Sequence, residues 1–350
     1  MVGPDGALPL PWLAPALHRI SSTQRAHALL LHGPQGVGQF ELAVTLAQAW
    51  LCEATQAAPQ ACGVCASCRL VQAHTHPDLL VLLPELLQQA LGWAAADDEE
   101  GGTERKTKPS KEIKVEAVRA AVGFAQITSA RGRGKVVLLH PAERMNAVSA
   151  NTLLKTLEEP PGNARFVLSC AAPEALLPTI RSRCQSVSLA LPPAEQACEW
   201  LAQRGVADAA MLLAAAGGQP QLALEWSQQG IDAVLWQRLP ALVGRGDASA
   251  FAAWPLTRVL DVLQKLCHDA ACVAAGAAPR YFPAGTVALG ADAQALATWT
   301  QELNRVARHA EHPWNVNLML ESLLQQGQRA LAGTPRKGPR ARDLSVHSRA

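Results

Sequence analysis

No stretch of this 350-residue chain approaches the roughly 18 successive apolar residues of a membrane-spanning helix, so no span is expected. The first residues, "MVGPDGALPLPWLAPALHRI", lack a basic leader and carry Asp5 and four prolines, which does not describe a secretory signal. Charge is scarce too. It makes up 17% of the chain, and 31 basic against 29 acidic residues leave a formal +2. Such a balance excludes a strong general field for nucleic acid or membrane. Low charge with 49% hydrophobic residues also excludes disorder as the general state. With neither export nor membrane signal, a cytoplasmic location is expected, and nine cysteines in a reducing compartment are not expected to form disulfides.

The most informative absence lies in "LLLHGPQGVGQFELA", residues 29–43. Gly33, four residues and Gly38 form the frame of a phosphate-binding loop, and Gly36 lies between them. A working loop continues with Lys for the β/γ-phosphates and Ser or Thr for Mg²⁺. Here the next residues are Gln39 and Phe40. The strand that should end in a metal-holding Asp reads "KVVLLHPAERM", with His140 and Pro141 at that point. A degenerate loop made of Gly33, Gly36, Gly38, Gln39 and Phe40 could still cradle an anion on backbone N–H groups. It lacks the ion and the lysine that neutralise a transferring phosphoryl group.

Continuous apolar runs at Ala28–His32, Asp78–Leu83, Lys135–His140, Arg165–Cys170 and Gln185–Ala190 are expected to be parallel strands covered on both faces. Helical patterns at Phe40–Cys52, Glu112–Gln126 and Ala147–Glu159 separate them, and a last one begins near Pro173 and runs through "LPTIRSRC". Alternation over residues 1–190 predicts a doubly wound α/β domain. Strand signals then stop. Residues 194–229 read as three short helices broken around Gly205 and at 217–220, and residues 231–331 as further helices. Two segments, 86–111 and 333–350, are expected to be unstructured, the second carrying five Lys/Arg and one Asp.

Cys52, Cys62, Cys65 and Cys68 follow a C-x9-C-x2-C-x2-C spacing. Four thiolates suit tetrahedral Zn²⁺ and leave no open position, so one structural ion per chain is expected. His74 and His76 are reserve ligands. Cys170, Cys184, Cys198, Cys267 and Cys272 are scattered and read as small core residues. Arg183, in the turn after Pro178, is placed at the rim of the α/β domain.

The broken loop, the cysteine cluster, "THPD", "NTLLKTLEEPPG" and "RSRC" occur in this order in one chain, which resembles the bacterial replicative clamp-loader subunits of DNA polymerase III. The resemblance covers residues from about 8 to 330 and is strongest over 25–190. It implies an AAA+ P-loop core with a parallel five-stranded sheet over 1–190, with the zinc module at 52–68. A small helical lid over 191–230, an all-α collar over 231–331 and a basic tail over 332–350 would follow. It implies a five-subunit ring with gamma/tau motor subunits and a delta subunit, acting through the complex on primer-template DNA and a sliding clamp. It also implies that Arg183 is an arginine finger given in trans to a neighbour's ATP site, a task that suits a permanently charged planar fork. Motor subunits of the family keep Lys, Ser/Thr, Asp and a lid arginine; this chain has Gln39, Phe40, His140 and Gln221 there. The expected role is a stator that hydrolyses no ATP itself yet belongs to the polymerase holoenzyme. Two rival readings stand beside it. One is a self-sufficient NTPase using His140 or Glu143 in place of the missing Asp. The other is a zinc-module DNA-binding protein, against which stands the single nearby basic residue, Arg69.

Overall fold

The computed structural model describes residues 1–23, 26–54, 60–93, 109–287, 290–309, 312 and 314–332. The chain divides into two compact units. One comprises residues 1–197 with 219–222, and the other comprises residues 198–218 with 223–350.

The first unit is built on five strands: β1 Ala28–His32, β2 Leu79–Leu82, β3 Val136–Leu139, β4 Arg165–Cys170 and β5 Gln185–Ser188. All pairings are parallel and the order is β2-β3-β4-β1-β5. Five strands were expected at these places, and β1 and β4 match their apolar runs end to end. The expectation of fully covered strands is met in the middle of the sheet. β3 is buried throughout, whereas β5 buries only Val187. The reason is position: β5 is an edge strand, and its exposed Gln and Ser side chains suit a half-covered face.

Helices run between the strands. Helices α1 Ala14–Thr23, α2 Gln39–Leu51, α3 Ala66–Gln72, α4 Glu85–Ala90, α5 Val115–Gln126, α6 Ala147–Glu158 and α7 Pro178–Arg181 complete the first unit's principal helical elements. Two features bound α6. The Asn146 side chain accepts from Ser149 N, and after Glu158 the chain meets Pro160–Pro161, which cannot extend a helix. The stretch expected to continue helically from Pro173 is instead a short 3-10 turn, Pro173–Ala175, followed by the single-turn α7, because Pro178 restarts the helix at its first position. Helix α4 lies partly within the 86–111 stretch expected to be unstructured; residues 94–108 and 333–350 lie outside the described residues.

One buried carboxylate anchors the loop that leads from α5 into β3. Asp78 is fully buried and accepts from Ala130 N at 2.8 Å, Arg131 N at 2.9 Å and Ser129 Oγ at 2.9 Å. Lys135, also buried, reaches it at 3.2 Å and lies over the Phe124 ring at 4.0 Å. Burial pushes the Asp78 carboxyl upward, but these donors outweigh it and hold it below its ordinary value.

The second unit is helical among its described residues, with α9 Ala209–Ala215, α11 Ala233–Arg245, α12 Leu256–Ala274, α13 Ala293–Arg308 and α14 Val316–Ala332; α8 Ala194–Ala202 and α10 Pro220–Gln228 cross the boundary. Stacked aromatic side chains mark its core: Trp226 on Trp236 at 5.1 Å, and Trp236 on Phe282 at 4.7 Å. Gly327 lets α14 come close to Trp299, where a Cβ would meet the indole at 2.6 Å. Of the scattered cysteines, Cys170, Cys184 and Cys267 are buried as expected, while Cys198 and Cys272 are only partly covered.

Asp78→Asn leaves Lys135 buried without its charge partner and is expected to cost roughly 3 kcal/mol, measured as a lower urea midpoint at pH 7. The folded carboxyl lies below the ordinary 3.8, so its stabilisation is complete above 3.8 and is lost as pH falls through the folded value. The gap between wild type and variant should therefore narrow in that acidic window.

Candidate functional site

The glycine loop connects β1 to α2 at the carboxyl edge of the sheet, where parallel α/β domains bind ligands. Gly36 and Gly38 have φ of 74° and 100°, a region that side chains other than glycine rarely adopt. Gly33 has a different reason: a Cβ there would meet the Leu189 carbonyl oxygen at 2.4 Å. The backbone of a phosphate loop is thus present.

Its chemistry is not. Gln39 is buried and folds back, its amide donating to the Gly33 and Pro34 carbonyls, each at 2.7 Å. A neutral amide stands where lysine would meet phosphate. Phe40 packs against His140 with ring centroids 4.9 Å apart, and Trp93 meets Phe40 edge-on at 6.2 Å. The hydroxyl and carboxylate that hold Mg²⁺ in a working site are thereby replaced by two rings in contact. His140 Nδ1 lies 3.0 Å from Ser169 Oγ, and burial lowers its pKa to about 4, so the imidazole is neutral at pH 7. Glu143 accepts from Ala171 N at 2.9 Å. Gln221 likewise brings no charge, and its amide donates to Glu41 Oε1 at 2.5 Å.

The four clustered cysteines converge. Their Sγ atoms all lie within 4.8 Å of one another, with Cys52–Cys65 and Cys62–Cys68 each at 3.9 Å. A tetrahedron with Zn–S bonds of about 2.3 Å has sulfur–sulfur edges of about 3.8 Å, so the donor set fits. Backbone N–H groups of Cys62, Cys65 and Cys68 point at the sulfurs of Cys52, Cys62 and Cys65 at 3.4, 3.3 and 3.4 Å. Such donors favour thiolates; the N–H groups of Val64 and Cys65 lower the Cys62 pKa to about 6, whereas burial raises those of Cys52 and Cys68. The reserve histidines are not in the cluster. His76 is buried against Ser67 Oγ at 2.6 Å and accepts from Asp78 N, while His74 stacks on Trp93 at 3.8 Å.

Sequence reasoning missed what surrounds the cluster. Val2 is fully buried there, its N–H donating to Gln48 Oε1 at 2.6 Å and its carbonyl accepting from Gln48 and Gln72, each at 3.0 Å. The segment that follows reaches the glycine loop, with the Trp12 indole donating to the Val37 carbonyl at 2.8 Å. Long-range partners of this kind leave no local pattern.

Arg183 lies apart from the glycine loop and the cysteines, in the turn between α7 and β5, with its side chain 29% exposed. Its Nε donates to Glu158 Oε1 at 2.6 Å, Nη2 donates to the same oxygen, and Nη1 donates to the Thr179 carbonyl at 2.8 Å. Glu158 belongs to the "TLEEPP" motif, but nothing in the sequence paired it with Arg183.

Strand order, a glycine loop after β1 and the missing acid after β3 define a P-loop α/β core of the AAA+ class without its own hydrolytic set. A family model described as "DNA polymerase III, delta subunit" matches residues 14–193, just over half of the chain. DNA polymerase III subunit delta' of Pseudomonas aeruginosa is 42% identical over 59% of this chain and 58% of its own length. The Escherichia coli delta' subunit is 32% identical over 75% of this chain and 78% of its own, and that of Haemophilus influenzae 36% over 63% and 62%. The chain therefore belongs to the delta-prime family of bacterial DNA polymerase III clamp-loader subunits, within the AAA+ superfamily. The match covers less than two thirds of two of these three relatives. No helix among the described residues is long and apolar enough to cross a membrane.

Burial of His140 has a thermodynamic signature. The unfolded imidazole titrates near 6.5 and the folded one near 4, so the unfolded state binds the extra proton between those values. Stability should fall on acidification from pH 6.5 to pH 4, with a slope contribution approaching about 1.4 kcal/mol per pH unit. Chemical denaturation of wild type and His140→Phe across that range measures it, and the variant should lack this part of the slope.

Proposed function

We propose that this chain is a non-hydrolytic stator of the replicative clamp loader, which completes a neighbouring subunit's ATP site with Arg183. The observation that carries the reading is the Phe40–His140 contact. Aromatic rings occupy the two metal-holding positions, while a guanidinium remains at the rim of the same domain. Losing one of these positions would leave a slow enzyme. Losing the lysine, the hydroxyl and the carboxylate together removes every group that neutralises the transition-state charge. An arginine supplied in trans contributes through charge and planar geometry, and such fingers raise phosphoryl-transfer rates by roughly 10³–10⁵.

In this reading the chain joins gamma/tau motor subunits and a delta subunit in a five-subunit ring that loads a sliding clamp onto primer-template DNA. The α/β core of residues 1–190 presents Arg183, residues 191–230 serve as lid, and residues 231–331 form the collar. Cys52, Cys62, Cys65 and Cys68 would hold one structural Zn²⁺, supported by their sulfur spacing. A closed four-thiolate shell binds no substrate; it ties together backbone segments too small to bury a core of their own.

The purified chain with Mg²⁺ and ATP should show no turnover. Arg183→Ala should lower the DNA-dependent ATPase of the assembled loader while leaving the subunit's own melting temperature unchanged. Undiminished loader ATPase and clamp loading in that variant, or steady Mg²⁺-dependent turnover by the lone chain, would overturn the assignment.

Elemental analysis of the purified protein should find one zinc per chain. A strong chelator should remove it and lower the thermal midpoint. Protein free of zinc with an unchanged midpoint would refute the structural metal.

A further inference from the structure

We propose that Glu158 is the positioning residue for Arg183, holding one edge of the guanidinium so that its remaining N–H groups stand free for an acceptor from another chain. The proposal rests on the reading of Arg183 as a finger given in trans.

The guanidinium has five N–H donors in a fixed fork. Nε and Nη2 each use one on Glu158 Oε1, and Nη1 uses one on the Thr179 carbonyl at 2.8 Å. The second Nη1 donor reaches Ser182 Oγ at 3.5 Å, the outer limit of a hydrogen bond, and the second Nη2 donor has no partner among the described residues, so two donors can turn to an acceptor from outside. Two is the number that a bidentate contact to phosphate oxygens needs. The grip therefore orients the side chain without using it up.

The placement of Glu158 is hard to explain by stability. It is the last residue of α6, where the helix dipole disfavours an anion, and Lys155 already supplies the favourable charge in that turn. The pair is solvent-exposed, with side chains 29% and 47% accessible, and exposed ion pairs contribute little to folding. What the pair does supply is order. A long side chain in a turn is otherwise free to rotate, and reaction geometry in trans demands a fixed donor. Glu158 and Thr179 sit on different helices, so the guanidinium is held from α6 and α7 at once.

The test uses the loader reconstituted with its motor and delta subunits, primed DNA and clamp. Four versions of this chain are compared: wild type, Glu158→Ala, Arg183→Ala and the double variant. Glu158→Ala should lower the kcat of DNA-dependent ATP hydrolysis by roughly three-fold or more with KM for ATP unchanged. The double variant should be no slower than Arg183→Ala alone, because Glu158 acts only through the arginine. Glu158→Gln, which keeps an acceptor oxygen at the same reach, should restore at least half of the lost rate. It also serves where alanine loosens the helix end, as reported by melting of the lone chain. Glu158→Ala at the wild-type rate beside an impaired Arg183→Ala would overturn the proposal, as would losses that multiply in the double variant. Arg183→Ala at the wild-type rate would instead overturn the finger itself, and Glu158's role with it.

Discussion

A triphosphate is cleaved only where its charge is neutralised, and in this domain the contact between Phe40 and His140 stands where that neutralisation would occur. A phenyl ring cannot ligate a divalent cation, and an imidazole whose pKa burial lowers to about 4 brings neither the charge of a carboxylate nor a positive charge of its own at neutral pH. Gln39 extends the same logic to the lysine position, spending its amide hydrogens on the loop's own carbonyls. Three neighbouring polar roles have been converted into packing and internal hydrogen bonds, so the loop is closed upon itself.

The sheet ties the glycine loop to its neighbours. β1 pairs with both β4 and β5, so the strand that feeds the glycine loop also pairs with the strand that the Arg183 turn enters. Gly33 lies against Leu189, just past β5. Arg183 precedes the opposite, amino end of β5, so the loop and the arginine stand at different ends of one strand. The loop is a structural joint between β1, β5 and α2.

The cysteine module does comparable work on the other side of α2. It encloses Val2, and the chain that continues from Val2 reaches Val37 of the loop through Trp12. A metal held by the four sulfurs would brace this segment, since a small module without a core of its own depends on cross-links for rigidity. Asp78 braces the neighbouring loop by a different device, a buried carboxylate saturated by backbone donors.

Local pattern was enough for much of this. Five apolar runs marked the strands because each is short and apolar, and Pro160 and the Gly217–Pro220 stretch marked breaks because their backbone constraints act within a few residues, whereas the interruption before Pro178 was not foreseen. The vacated positions 39, 40 and 140 were legible one by one, and the C-x9-C-x2-C-x2-C spacing announced a thiolate cluster. The half-exposed character of β5 was not legible, since strand order decides which strand is an edge. The Phe40–His140 contact, the enclosure of Val2 and the grip of Glu158 on Arg183 join residues 100, 46 and 25 positions apart. Side-chain identity by itself determined which groups stand at positions 39, 40 and 140. Only the packing of distant segments decided what those groups touch and how Arg183 is held, because contacts across such separations depend on where the whole sheet places each loop.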